Sequence, residues 1–504
     1  MRYRARAFPA AAAAAAAWLC ASAASALPQH PPLLSPAIVP SAAYTRLSTD
    51  ATTNSSLWSV SAAPQRWSLG AALLLDLRGA SRRAQGGAYA RLLGARAAAA
   101  SASLFAVLLP NASTRALVDR FLTWQWEAFL GPALPAEYAE ECAGIAAEDA
   151  ALWRALARLL ALAVGPADAD NWRAMIDAEL AGGAASPLSP AELDAVVYAL
   201  GHLGGAGSWR TCDMMAAWGP RTAGGDLLAM RNLDWVVDSG VSVSKLITVH
   251  HPPEAGRAAH ATVGFAGFVG AIAGMSARGV TVSQSNLDNS RVLLNASAWP
   301  FRLRYIMETA ETVADVRRVY SPPGALAATA GTANHIIGAQ ADAAAGRSAA
   351  LAAECIAPLN ALYADDDPAE AAAVDPATGA RIGFPLPHAL WRSNHALSAR
   401  ILPTQVPLWN DTLQRYDMLR QFILDAEPGR INETYTAQIA ATLGQKGDDY
   451  YSCAAGAGGD NVISVVYNPA QSRLLAAWED GRGSGWTPAC CTFYTGFDLQ
   501  QWFA

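Results

Sequence analysis

Hydrophobic and polar positions change their period along this chain, and the changes divide it into segments. Residues 27 to about 65 are rich in Pro, Ser, Thr and Ala with no sustained period, which predicts an extended arm lying on the surface. Short apolar runs at 72–77 and 104–109 predict strands. Between about 114 and 203 the period becomes helical. Leu117, Phe121, Trp124 and Ala128 share one face, as do Leu152, Leu156 and Leu159, and then Leu193, Val197 and Leu200. Pro135, Gly165-Pro166, Pro187 and Pro190 punctuate these helices.

After Gly204-Gly205 the texture turns to β: apolar runs at 214–218, 227–233, 241–250, 262–268, 270–275 and 279–285 are separated by Gly, Pro or Asp. One amphipathic helix is predicted over 301–320, and helices again over 413–424 and 435–443. Residues about 364–384 read as an inserted loop, and 462–467 with 474–478 as a hairpin around Asn468-Pro469. A helical block followed by sheets with a few helices is an α+β layout.

Composition narrows the function. The chain has 504 residues, 52% hydrophobic and 15% charged, enough apolar material for a buried core. Its net charge is −6 and no basic tract occurs, which argues against a nucleic-acid partner, since phosphate binding needs clustered cations. The start of the chain carries an address. Arg2, Arg4 and Arg6 precede an apolar stretch from Phe8 to Leu19, followed by Ala24-Ser25-Ala26, the pattern of a signal peptide over 1–26 cut before Leu27. That predicts a secreted, lysosomal or otherwise lumenal protein. Sequons at Asn54, Asn111, Asn295, Asn410 and Asn432 fit such a route as glycosylation sites.

Six cysteines remain after the leader: Cys142, Cys212, Cys355, Cys453, Cys490 and Cys491. No C-x-x-C pair and no H-E-x-x-H occurs, so neither a metal nor a cofactor is predicted. Cys453 with Cys490 or Cys491 can staple the C-terminal hairpin. Ser242-Val243-Ser244-Lys245 fits S-x-x-K but lacks a K-T-G partner.

The informative stretch begins at Thr211-Cys212-Asp213, runs through Ala217-Trp218-Gly219 and a Gly/Pro/Asp turn, and returns as Arg231-Asn232-Leu233-Asp234. A hairpin centred near Ala223-Gly224 brings the 231–234 end beside Cys212. A thiol then lies next to a guanidinium, which favours thiolate, and a carboxylate, which can hold a nearby ammonium. Each residue also has a plainer reading: Cys212 as a small buried hydrophobe, Arg231 and Asp234 as a structural ion pair, Asn286 and Asn394 as turn residues, Arg415 as a solvated helix face.

The spacing C-x(18)-R-N-x-D resembles that of the N-terminal-nucleophile hydrolases of the acid ceramidase, N-acylethanolamine acid amidase, choloylglycine hydrolase and penicillin acyltransferase group. Further matches follow in order: Gly274-Met275-Ser276 to Gly279-Val280 and Asn286, Arg304 with Glu308, Ser393-Asn394-His395, and Arg415; upstream, Leu134-Pro135, Tyr138, Glu141 and Gly144-Ile145 resemble the group's pro-segment. Asp213, Ser276 and Ser393 depart from the group's usual residues.

The resemblance implies a four-layer αββα sandwich preceded by a helical pro-segment. It implies cutting between Thr211 and Cys212 into chains of 27–211 and 212–504 that stay associated. Cys212 would become a nucleophile with a free α-amino group as its base. Asp234 would orient the ammonium, Arg231 would tune the site, Asn286 and Asn394 would supply oxyanion contacts, and Arg415 would form a second charged wall. The implied activity is hydrolysis of an N-acyl amide, foremost a lipid amide, free or presented at a membrane surface. The alternatives are an acyltransferase of the same fold and an inactive secreted binding protein. The aromatic stretch Phe121, Trp124, Trp126 and Phe129 reads either as core or as the wall of a lipid-facing cleft.

Overall fold

The run Thr211–Ala217 alternates its partners as a strand between two cores must. Met214 and Ala216 join one hydrophobic cluster, Met215 and Ala217 a second. It turns back through Gly224 and Gly225, both at φ 83°, a left-handed conformation that glycine adopts without strain. The return strand Leu228–Asp234 pairs with it antiparallel, setting Cys212 opposite Leu233 and Met214 opposite Arg231.

The computed structural model describes residues 31–166, 168–203, 211–235, 238–324, 326–405, 408, 410–443 and 461–504. The leader expected over 1–26 therefore lies outside the described residues, as does Cys453. In chain order the strands are β1 Ala37–Val39, β2 Ala43–Asp50, β3 Ser55–Ser61, β4 Ala72–Leu77, β5 Thr211–Ala217, β6 Leu228–Asp234, β7 Lys245–His250, β8 His260–Phe265, β9 Ala273–Ser276 and β10 Val280–Asn286. They continue with β11 Ser297–Ala298, β12 Thr329–Ala330, β13 Ala333–Ala339, β14 Ala350–Ile356, β15 Leu359–Tyr363, β16 Ala389–Arg392, β17 Asn461–Asn468, β18 Arg473–Trp478 and β19 Phe493–Asp498.

Two large sheets result. One runs β1-β19-β18-β17-β6-β5-β16, the other β15-β14-β13-β10-β9-β8-β7-β4-β3-β2. Strands β10, β13 and β14 lie against β5, β6 and β16 of the first sheet. Helices Asn410–Asp425 and Glu433–Leu443 pack on β5, β6, β16 and β17, while helices Trp299–Thr309 and Val313–Tyr320 pack on β9, β10, β13 and β14. The mixed α and β architecture agrees with the sequence reading.

The segment before Cys212 is interleaved with the segment after it. β1 pairs parallel with β19, and β4 pairs parallel with β7, so the first part of the chain adds strands to both sheets. Leu33–Ala504 accordingly forms one unit. The stretch expected as a surface arm is thus partly woven into the sheets.

Two other expectations change. Residues 104–109 are not a strand but the end of a 27-residue helix, Arg82–Leu108, whose alanine-rich sequence favours that state. By length and composition this helix could cross a membrane; in this chain it lies on β2, β3, β4 and the helices Ala136–Glu148 and Ala150–Val164. The helix expected over 301–320 is two helices, because Thr312 and Asp315 form a capping box that starts a new one.

The motifs upstream at 134–145 and downstream at 304–308 meet each other. Arg304 donates through Nη1 and Nη2 to the two carboxylate oxygens of Glu141, each at 2.8 Å, and Arg82 pairs with Glu308 at 2.6 Å. Tyr138 lies under both guanidinium groups. Gly86 and Gly144 let the two helix backbones touch, where a Cβ on either would collide with a carbonyl of the other helix. The ion pairs bind the helical segment to helix Trp299–Thr309, which in turn packs on the second sheet.

Candidate active site

Strand parity aims the side chains. In β5 the even positions face the second sheet, so Cys212 points between the sheets; Asp213 points the other way, toward helix Asn410–Asp425. In β6 Arg231 shares the face of Ala229, which puts it beside Cys212, while Asn232 reaches helix Glu433–Leu443 and donates to the Ala440 oxygen at 2.8 Å. Gln284 and Asn286 arrive from β10 across the gap between sheets.

All six predicted residues, Cys212, Arg231, Asp234, Asn286, Asn394 and Arg415, are buried, and the structure brings them together. Arg231 Nη2 lies 3.6 Å from Cys212 Sγ. The main-chain nitrogen of Cys212 donates to Asn394 Oδ1 at 2.8 Å, and Asn394 Nδ2 donates to the Asn286 oxygen at 2.8 Å. Arg415 donates through Nη1 to the Cys212 oxygen at 3.0 Å and to Asp213 Oδ1 at 2.6 Å, and through Nη2 to Asn394 Oδ1 at 3.0 Å. Asp234 Oδ1 accepts from Asn461 Nδ2 at 2.8 Å.

Several plain readings drop out. Arg231 forms no ion pair with Asp234; its bonds go to Gln284 and the thiol. Arg415 is no solvated helix face, being 1% exposed. Asp213, a departure from the group's Ser or Thr, is the carboxylate that Arg415 requires once buried. Asn394 uses its amide to hold the Cys212 nitrogen and to bond the Asn286 main-chain oxygen. Asn286 lines the cleft beside the thiol.

The electrostatics compete. Burial pushes the Cys212 thiol up, the Arg231 guanidinium pulls it down, and the Asp234 carboxylate pushes it up again, with the backbone N–H groups of Asp234 and Asn286 lowering it. Cys142 and Cys355 are unbridged, buried and pushed up by desolvation, hence inert. Cys491 is disulfide-bonded. In the S-x-x-K segment Lys245 Nζ donates to the Ser242 main-chain oxygen at 2.6 Å and pairs with Asp480, leaving no lysine–serine base pair there. Among the described residues no cluster of His, Cys, Asp or Glu could hold a metal.

No family model matches the chain. Protein dcd1B of Dictyostelium discoideum is 29% identical over 115 residues, covering 22% of this chain and 23% of that protein, so the match spans about a quarter of the relative's length. Among solved structures the chain is similar to the Caenorhabditis elegans N-acylethanolamine-hydrolyzing acid amidase ortholog, at 12% identity over 51% of this chain and 93% of that one, TM-score 0.34. It is similar also to a mutant of conjugated bile acid hydrolase from Clostridium perfringens, at 12% identity over 56% and 98%, TM-score 0.34. Penicillin V acylase from Agrobacterium tumefaciens follows at 11% identity over 53% and 83%, TM-score 0.30.

Beside Cys212 opens an apolar cleft. Its walls are Trp235, Phe265 and Phe268 in and beside the strands, Trp299 at the start of helix Trp299–Thr309, and Leu159 and Ala163 from helix Ala150–Val164. The aromatic stretch 121–129 does not line it. Phe121 packs on Trp124 and Trp172, and Trp124 on Phe129, as core. Periodicity could not find the cleft, since its walls come from separate segments far apart in the chain. The sequon asparagines Asn54, Asn111, Asn295, Asn410 and Asn432 are all exposed.

Proposed function

We propose that this chain is an N-terminal-nucleophile amide hydrolase that cuts itself between Thr211 and Cys212. The observation that carries the reading is the environment of Cys212: its nitrogen is held by Asn394, its oxygen by Arg415, its thiol faces Arg231, and an apolar cleft opens at the sulfur. A residue gripped at nitrogen, oxygen and sulfur is prepared for chemistry at its own amine and thiol. The order of contacts, helices on one sheet, that sheet on the next, and helices again, supports the four-layer αββα arrangement.

In self-cleavage the Cys212 sulfur attacks the Thr211 carbonyl carbon, the Thr211–Cys212 C–N bond breaks, and the nitrogen leaves with a proton as the new α-amine. Water then hydrolyses the thioester. In turnover the α-amine takes the thiol proton, the sulfur attacks the substrate's amide carbonyl, and the protonated amine returns its proton to the leaving nitrogen. Water releases the acid and restores the thiol. Asn286 beside the sulfur supplies an oxyanion contact, and Asp234 holds the ammonium.

The cleft suits an acyl chain, so a lipid amide is the proposed substrate class. Strand pairing between the segments before and after Cys212 would keep the two chains associated. Secretion or a lysosome-like location, with glycans on the exposed sequons, belongs to the same proposal. The test is release of free acid from N-acyl amides by the purified chain, with a competing amine added. Acid release that the amine does not divert supports the hydrolase; transfer to the amine supports an acyltransferase; and no acyl labelling of Cys212 by a thiol-reactive acyl probe supports a binding protein.

A further inference from the structure

Arg231 is fully buried, forms no ion pair among the described residues, and has an Nη1 without a hydrogen-bond partner. A buried cation in that state costs free energy unless something stabilises it. One residue holds it in place: Gln284 accepts Nε on its main-chain oxygen at 2.9 Å and Nη2 on its side-chain Oε1 at 3.3 Å. Because a guanidinium can only donate, the carboxamide must turn its oxygen toward Arg231. These two contacts fix the plane of the guanidinium and leave Nη2 facing Cys212 Sγ.

We propose that Gln284 is the positioning residue for the nucleophile, and that its neutrality is what matters. A glutamate there would hold the guanidinium as well or better, yet would supply the counter-charge that the sulfur otherwise provides. A neutral carboxamide orients the cation and leaves its charge to favour the thiolate. The other charge acting on this sulfur is Asp234 from β6, which opposes the thiolate. Arg415 from helix Asn410–Asp425 bonds the Cys212 main-chain oxygen and is paired with Asp213 and Asp411. In the cut protein the Cys212 α-amine, common to all the variants, titrates beside the thiol. Gln284 therefore acts through Arg231 and not on substrate. The inference rests on Cys212 being the nucleophile proposed above.

The experiment measures the rate of Cys212 alkylation by iodoacetamide against pH, read by peptide mass spectrometry on the full chain, for wild type, Gln284→Glu and Gln284→Met. Gln284→Glu should move the titration of alkylation upward by about one unit or more, slowing neutral-pH labelling about tenfold. Gln284→Met removes the side-chain acceptor while the main-chain oxygen of residue 284 still takes Nε, so it should raise the titration measurably but clearly less than Gln284→Glu does. A wild-type titration in Gln284→Glu, or equal shifts in both variants, would overturn the proposal. If Gln284→Glu does not fold, the Met variant decides: no shift would remove the positioning role, and a shift as large as about one unit would mean that neutrality is not the controlling property. Amide turnover by wild type, measured in parallel, is a separate readout. Turnover with unshifted variants sinks only the role of Gln284, whereas shifted variants without turnover sink the hydrolase.

Discussion

The main-chain nitrogen of Cys212 donates to Asn394 Oδ1 at 2.8 Å, across 182 positions of sequence. In the uncut chain that nitrogen belongs to the Thr211–Cys212 peptide. After cleavage it would be the α-amine, and the same oxygen would hold the base against its own thiol. One acceptor thus serves both the maturation step and turnover.

Asn394→Ala should therefore impair both. Removing the acceptor leaves the buried Cys212 nitrogen bare and takes a partner from Arg415, at about 1–3 kcal/mol for an unsatisfied buried group. Single-turnover acid release and the rate of self-cleavage should each fall about tenfold or more. A variant that matches wild type in both rates would remove Asn394 from the site.

The Glu141–Arg304 pair should be structural and costly to break. Both side chains are buried, so Glu141→Leu strands a cation in the interior, and the denaturant midpoint should report a loss of about 3–5 kcal/mol. Arg318, mostly exposed beside Asp315, is the control. Arg318→Ala should change stability by less than about 1 kcal/mol.

Stability should depend on pH through Glu479. Burial pushes its carboxyl up from 4.5 to about 7, opposed by hydrogen bonds from Trp486 and the Asp238 backbone, with Asp238 raising it and Lys245 lowering it. A raised folded pKa favours the protonated form. The contribution is full below pH 4.5 and is lost as pH rises through about 7, amounting to roughly 3 kcal/mol. His395, pushed down from 6.5 to about 3 by burial, acts with the opposite sign below pH 6.5. Melting of Glu479→Gln against wild type isolates the carboxyl: the difference between the two should change between pH 4.5 and about 7. A constant difference would contradict the assignment.

How much of this was legible in the sequence depends on the range of the contacts. The β5–β6 hairpin was readable because its alternation and its glycine turn are local, and with it came the approach of Arg231 and Asp234 to Cys212. The 104–109 run misleads because a short apolar stretch has the same look at a helix end and in a strand. The break at Thr312 is marked by T-x-x-D, which a continuous amphipathic pattern conceals. Strand β14, rich in alanine, gives little β signal and is a strand because both its faces are buried. Gln284 was invisible, since its meeting with Arg231 is made across two sheets.

The cleft should set acyl preference. If the chain of the substrate lies between Trp235, Phe265 and Trp299, each buried methylene adds about 0.8 kcal/mol, or about fourfold in kcat/KM. An acyl series from acetyl to palmitoyl should rise, and Ala163→Phe, which fills the cleft from the helix side, should truncate the rise at shorter chains. A flat series, or a preference for short polar acyl groups, would contradict the lipid-amide reading.

The most direct test is the intact mass of the purified protein and the N-terminal residue of its larger fragment, for wild type and Cys212→Ala. The expected result is a fragment beginning at Cys212 in wild type, formed without added protease, and a single uncut chain in the variant. A Cys212→Ala protein still cut before residue 212, or a wild type that stays whole while hydrolysing amides, would contradict an N-terminal nucleophile at Cys212.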